Sequence, residues 1–294
     1  MEWHGPIVRP QTDADSLFIE VTAGCTHNRC TFCNFYKDTP LWIASNEQVE
    51  EQLKEAKQQL PHVHKIWASG GNPFALPTKR LIELGDLFRT YYPQARVSTY
   101  ARINDFRRKS IDDLRAIKEH GIDEVMIGIE TGDDEALTFV NKGYTAVDIV
   151  RECQKLDKAG LTYRMIYLGG LLGAGKLVES ARKSAEVFNQ IHPYYMIYTN
   201  VSVLPGTKLY DQMLSGEFTE ATEKERLQEM RELIANLDNQ IVVDSGTAAS
   251  SIYFKANLPH DKQEAVTALD RIIADFNDEQ ERALHSRRAA MMSV

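Results

Sequence analysis

Three of the chain's four cysteines stand within nine residues, in the run Gly24-Cys25-Thr26-His27-Asn28-Arg29-Cys30-Thr31-Phe32-Cys33. Thiolates at such spacing hold either zinc or an iron–sulfur cluster. A zinc ion would take Cys25, His27, Cys30 and Cys33 as a Cys3His tetrahedron. Structural zinc, however, staples small domains that cannot fold alone, and these thiols follow the first strand of a large α/β pattern. A third reading is three core thiols that bind nothing; the glycine and polar residues among them do not look like core. A four-iron cluster on three cysteines leaves one iron without a protein ligand. That open position takes a substrate or cofactor, as the open position of a catalytic zinc does.

The elements that must position this loop are legible as apolar, β-branched runs. They are Leu17–Ala23, Lys65–Ser69, Arg96–Ala101, Glu124–Glu130, Thr162–Leu168 and Tyr195–Val203. Amphipathic helices alternate with them. Ser45 with Gln48, Ser110 with Asp113 and Thr145 with Asp148 read as capping boxes. Val49, Leu53, Ala56 and Leu60 share one helical face, and Gly121 and Gly160 suit helix C-terminal stops. Six strand–helix units in series imply a parallel sheet with right-handed crossovers, as an open doubly wound sheet or as a barrel, complete or partial. In either case function gathers at the C-terminal ends of the strands.

Those ends carry Gly24-Cys25, Ser69-Gly70-Gly71-Asn72-Pro73, Arg102, Glu130-Thr131-Gly132-Asp133-Asp134, Gly169-Gly170 and Leu204-Pro205-Gly206-Thr207. Beyond them the pattern changes to a charged helix over 219–237, a run at 240–244, a second at Ser251–Phe254 and a final helix over about 261–284. This gives two regions: a core over 1–207 and a C-terminal α+β extension over 208–294, packed on the core. Asp244, Tyr253, Lys255 and Asn257 of the extension are candidates to line a pocket. Cys153 shares a helical face with Ile149 and Leu156 and reads as a buried core thiol. With only that cysteine to spare, the chain has no ligand set for a second cluster.

Taken in order, the cysteine loop, the Ser-Gly-Gly-Asn-Pro turn, Ile129-Glu130-Thr131-Gly132 and Leu204-Pro205-Gly206-Thr207 resemble the radical S-adenosylmethionine (radical SAM) superfamily. The resemblance covers about 15–207 and is strongest to the branch holding oxygen-independent coproporphyrinogen oxidase-like and Elongator-like radical enzymes. One departure is plain: the cysteines are spaced C-x4-C-x2-C, one residue longer than the usual C-x3-C-x2-C. The resemblance implies a partial (β/α)6 TIM-like barrel of parallel strands. It implies a [4Fe-4S] cluster on Cys25, Cys30 and Cys33, with S-adenosylmethionine on the open iron. Reductive cleavage of that cofactor gives methionine and a 5′-deoxyadenosyl radical, which abstracts hydrogen from a substrate. It further implies cofactor contacts from Phe32, Gly70, Gly71, Asn72, Glu130, Arg164 and the backbone of Leu204. A salt bridge between Glu130 and Arg164 is the structural alternative for that pair.

The formal net charge is −8, and no concentrated run of Lys and Arg forms a phosphate-tracking surface. A small organic substrate is therefore expected over nucleic acid. A tRNA- or peptide-modifying radical enzyme, and a non-catalytic zinc or iron–sulfur protein, are the alternatives. A reductant such as flavodoxin or ferredoxin is the expected partner. No apolar run reaches the roughly 20 residues that span a bilayer, and the first residues lack a secretion-signal pattern, so a cytoplasmic enzyme is expected.

Overall fold

The structure is a computed structural model that describes residues 3–291. Its main sheet has eight strands in the order β1 (Leu17–Glu20), β4 (Lys65–Ser69), β5 (Arg96–Ala101), β6 (Glu124–Glu130), β7 (Thr162–Gly169), β8 (Tyr195–Asn200), β9 (Ile241–Asp244) and β10 (Lys255–Leu258). The pairs β1/β4, β4/β5, β5/β6 and β8/β9 are parallel, and β9/β10 is antiparallel. This is the mostly parallel α/β sheet of a partial barrel. Two strands of the C-terminal region continue the sheet beyond β8 rather than packing on it.

The first run of the sequence does not form one strand. It breaks after Glu20, and β2 (Thr22–Ala23) pairs with β3 (Trp42–Ile43) as a separate two-stranded ribbon. The cysteine loop is what joins β2 to β3.

The chain forms two compact units. One takes in the residues up to Asn28 with Phe35–Gly128 and Gln154–Arg164; the other takes in Arg29–Asn34, Ile129–Cys153 and the described chain from Met165 onward.

In the first unit, α1 (Asn46–Gln59), α2 (Thr78–Tyr91) and α3 (Ile111–Glu119) accompany the strands. Ser45 and Ser110 close the capping boxes expected of them, with Gln48 and Asp113. Val49, Leu53 and Ala56 bury the inner face of α1. The N-terminal ends of the strands are held by ions. Lys65, the first residue of β4, and Glu124, the first of β6, meet at 3.1 Å, and Asp13 sits 2.5 Å from Lys65.

The second unit contains α4 (Asp134–Phe139), α6 (Leu177–Phe188), α7 (Lys208–Ser215), α8 (Glu223–Asn236), α9 (Lys262–Asp275) and α10 (Asp278–Ala289); α5 (Ala146–Ala159) runs from this unit into the other. Leu227, Met230, Leu233 and Ile234 of α8 are fully buried, each burial being worth about 1.5–3 kcal/mol. Two expectations for this region are corrected. The final helix is two, because Asn277 caps a new start at Asp278 with a capping box to Gln280. The last strand begins at Lys255 rather than at Ser251. No described helix is long and apolar enough to cross a membrane.

Candidate active site

Cys25 stands just past β2, after Gly24, and the turn after β4 braces it. Gly71 donates its N–H to the Gly24 carbonyl at 3.2 Å. A methyl group on Gly71 would collide with that carbonyl and come within 2.9 Å of the Cys25 Cα. Gly70, at φ +145°, packs so closely on Thr22 that a side chain would strike its hydroxyl. Only glycine allows backbone to approach backbone this way. Asn72 completes the brace. Its Oδ1 accepts the Thr26 N–H at 3.1 Å, and its Nδ2 donates to the Thr26 hydroxyl at 2.7 Å and to both Asp105 oxygens. The Asn72 side chain thus orients the loop through Thr26, and its amide is already committed to protein.

The later half of the loop belongs to the second unit. Thr31 donates its N–H to the Val140 carbonyl, and its own carbonyl accepts from Leu209, so two helices hold it from both sides. Arg29 offers its carbonyl to Asn141 at 3.0 Å. Phe32 packs on an apolar cluster of Ala136, Val140, Leu171 and Phe218, with Lys142 5.9 Å from its ring centroid. Cys25, Cys30 and Cys33 are each half-buried, and none is in a disulfide; Cys153 is buried, as its helical face predicts.

Glu130 ends β6 at φ +70°, the left-handed region that a non-glycine residue occupies only at a cost. Its carboxylate pairs with Lys142 through Oε1 at 3.1 Å. The alternative partner, Arg164, is elsewhere. Arg164 is the third residue of β7 and joins the ions at the N-terminal strand ends, 2.8 Å from Asp13 and 2.8 Å from Glu124. Burial alone would raise the Asp13 pKa; Arg164 and Lys65 hold its carboxyl below the usual range. The Arg164 guanidinium is thus already enclosed by two carboxylates near the start of its strand. Leu204 is buried, and its carbonyl takes both the N–H and the hydroxyl of Thr207, which caps α7. Only its N–H is left for a backbone contact.

The donor set, three thiols with one histidine between them, is of the soft kind that both zinc and iron–sulfur clusters take. Among the described residues, no three His, Cys, Asp or Glu side chains converge on a point as ligands of one metal ion must. The thiolates of a four-iron cluster bind separate irons and stay further apart.

The sequence reading missed Lys142, Asp105 and Thr26. A signal for Lys142 existed: Asn141 and Gly143, on either side of it, both take positive φ, as an Asn-Lys-Gly turn invites. Asp105 and Thr26 had none, since their importance lies in a contact across many residues.

The family model described as the Radical SAM superfamily matches residues 19–181. The chain is 24% identical over 204 residues to the heme chaperone HemW of Bacillus subtilis, a match covering 65% of this chain and 52% of that protein. It thus spans only about half the length of this curated relative. Among solved structures, coproporphyrinogen III oxidase (HemN) of Escherichia coli superposes with TM-score 0.55 at 18% identity, over 75% of this chain and 51% of that one. The Elp3 of Methanocaldococcus infernus gives TM-score 0.53 at 13% identity, over 87% and 63%. Both share the fold that the motif order had suggested. The chain belongs to the radical SAM superfamily, whose members work with a [4Fe-4S] cluster and S-adenosylmethionine.

Proposed function

We propose that Cys25, Cys30 and Cys33 hold the cluster and that the chain uses the radical it makes from S-adenosylmethionine to take hydrogen from a small organic molecule. The observation that carries this reading is the brace on the cysteine loop. Gly71 and Asn72 fix the Cys25 end, and the Val140 and Leu209 backbones fix Thr31 between the other two thiols. A loop meant only to expose thiols needs no such bracing.

In this reading the cluster supplies one electron to the sulfonium, and the protein positions, orients and excludes water. Gly70 and Gly71 present backbone to the methionine end of the cofactor, and Glu130 accepts from its ammonium. Lys142, 3.1 Å from its Oε1, keeps Glu130 in place. Phe32 and its apolar cluster offer a dry wall to the adenine. A soluble one-electron donor such as flavodoxin or ferredoxin, in the cytoplasm, completes the system.

The test is anaerobic. The protein is reconstituted with iron and sulfide, given S-adenosylmethionine and dithionite, and assayed for 5′-deoxyadenosine by mass-resolved chromatography. Product is expected, and alanine at any of the three cysteines should abolish it. One tightly held zinc, with no iron uptake and no product, would overturn the reading.

A further inference from the structure

The face of β8, β9 and β10 turned away from the helices carries a cluster that the proposed chemistry does not use. Met196, Tyr198 and Asn200 are buried, and the Tyr198 hydroxyl reaches the Arg226 carbonyl on α8. Tyr195, Ile197 and Thr199 alternate with them and face the other way. Register sets Ile197 opposite Asp244 and Asp244 opposite Lys255, so these share that face. Ala256 and Leu258 are buried while Lys255 and Asn257 are exposed, in agreement.

Asp244 is the hub. Its Oδ2 accepts from the Tyr195 hydroxyl at 2.5 Å and pairs with the Lys255 ammonium at 3.1 Å; its Oδ1 accepts the Gly246 N–H at 2.8 Å. The ammonium also lies 5.6 Å from the Tyr195 ring centroid. Tyr253 stands over Gly246, where an added methyl group would meet Asp244 Oδ1 and Tyr253 Cε2, each at 3.0 Å. Burial alone would raise Asp244; the Tyr195 hydroxyl, the Gly246 amide and Lys255 hold it below the usual carboxylate range.

An exposed ion pair contributes little to stability because two long side chains must be ordered to make it. Here the order is already present. The carboxylate is 13% exposed and held by three donors, while the Lys255 side chain is 49% exposed and Tyr253 77%. An ammonium has three N–H donors, and Asp244 takes one. What results is an oriented cation beside the Tyr195 ring, half of its side chain exposed, with the exposed Tyr253 ring over the neighbouring Gly246. Its complement is an anion of modest size that carries apolar surface.

We propose that Lys255, oriented by Asp244, binds the carboxylate of a small organic acid substrate, with Tyr195 and Tyr253 flanking its carbon skeleton. This deepens the proposed function and rests on its reading of a small-molecule substrate. Lys255 is a binding residue, and Asp244 is a positioning residue.

The experiment measures how fast each lysine of the reconstituted full chain is acylated by a water-soluble active ester, read by peptide mass spectrometry. Propionate is the probe, and propionamide, the same size without charge, is the control. Propionate should slow acylation of Lys255 severalfold and leave the other lysines unchanged; propionamide should do nothing. Asp244→Asn should remove the protection while Lys255 remains. No protection by propionate, or equal protection by propionamide, overturns the proposal. Protection that rises with protein concentration alone would place a second copy of the chain on this face and overturn it too. The readout involves neither cofactor cleavage nor the cluster. Lys255 protection together with one tightly held zinc, no iron uptake and no 5′-deoxyadenosine would overturn the proposed function and leave only an anion site here; 5′-deoxyadenosine formation without Lys255 protection would overturn this site alone.

Discussion

Asn72 donates its amide to both carboxylate oxygens of Asp105, at 3.1 and 3.0 Å, and both residues are buried. Burial raises the Asp105 pKa, with the Arg102 N–H and Asn72 opposing it. The same Asn72 holds Thr26, the residue after the first cysteine. Asn72→Ala should therefore do two things. It leaves buried acceptors short of donors, at a cost of about 1–3 kcal/mol, and it frees the Cys25 end of the loop. Denaturant midpoints should fall, and iron per chain after reconstitution should fall with them. A variant that loses stability yet keeps a full cluster would reduce Asn72 to a core residue.

Gly71 separates the loop from the rest of the fold more cleanly. Its Cα faces the Gly24 carbonyl and the Cys25 backbone, neither of which can swing aside as a side chain can. Gly71→Ala should displace the first thiol while circular dichroism stays that of the native chain. The expected signature is loss of the cluster's visible absorption with little change in helix content. A Gly71→Ala protein with full colour would show that the loop tolerates displacement.

Glu130 combines strain with a carboxylate whose Oε2 has no protein donor among the described residues. The left-handed conformation costs a non-glycine residue about 1–2 kcal/mol. Glu130→Gly should recover part of that, whereas Glu130→Gln should not. Both should weaken S-adenosylmethionine binding by about tenfold or more, the worth of a hydrogen bond to a charged group. Calorimetric titration and thermal melts read the two effects separately. Unchanged affinity in Glu130→Gln would remove this residue from the cofactor site.

Arg164 is predicted to matter for stability alone. It lies between Asp13 and Glu124 and is nearly fully buried. Arg164→Met takes one cation from two buried carboxylates and leaves them Lys65; removing one member of a buried ion pair typically costs about 3–5 kcal/mol. Cofactor affinity of the remaining folded protein should match the parent. A large loss of affinity at unchanged stability would return Arg164 to the role that the superfamily resemblance had implied.

The parts of the fold legible in the sequence are those set by local chemistry. Lys65–Ser69, Arg96–Ala101 and Glu124–Glu130 have the bounds that their β-branched runs announce, and Ser45 and Ser110 cap where they should. The cysteine loop declared itself by spacing. What stayed hidden depends on contacts far apart in the chain. Thr22 and Ala23 continue an apolar run, yet they leave the sheet because β3 waits beyond the loop. Arg164 has the residue type of a cofactor ligand, and its ion partner Asp13 lies about 150 residues earlier in the chain. The stripe of α8 was visible, but its buried Glu223, Arg226 and Glu229 were not. Charged residues between apolar ones read as a solvated face until Tyr167 and Arg288 are seen to meet them.

Glu229 gives the last prediction. It is fully buried; its Oε1 accepts from Tyr167 at 2.9 Å and its Oε2 from the Gly170 N–H at 2.7 Å. Burial pushes its pKa up to about 7, against the pull of Tyr167, Gly170 and Arg226. The unfolded carboxyl titrates near 4.3. Between these values the folded chain keeps a proton that the unfolded chain has released, so stability falls as pH rises. The contribution is fully present below the unfolded pKa and is lost as pH passes through the folded one. Glu229→Gln copies the uncharged form and removes the dependence. Its stability should match the parent at acid pH and exceed it above neutrality by on the order of 3 kcal/mol, given about 1.4 kcal/mol per pKa unit. Subtracting the urea-unfolding free energies of the two proteins at each pH cancels the other titrating groups. A flat difference across the range would mean that Glu229 is ionised throughout and that its Arg226 neighbour, not a proton, balances it.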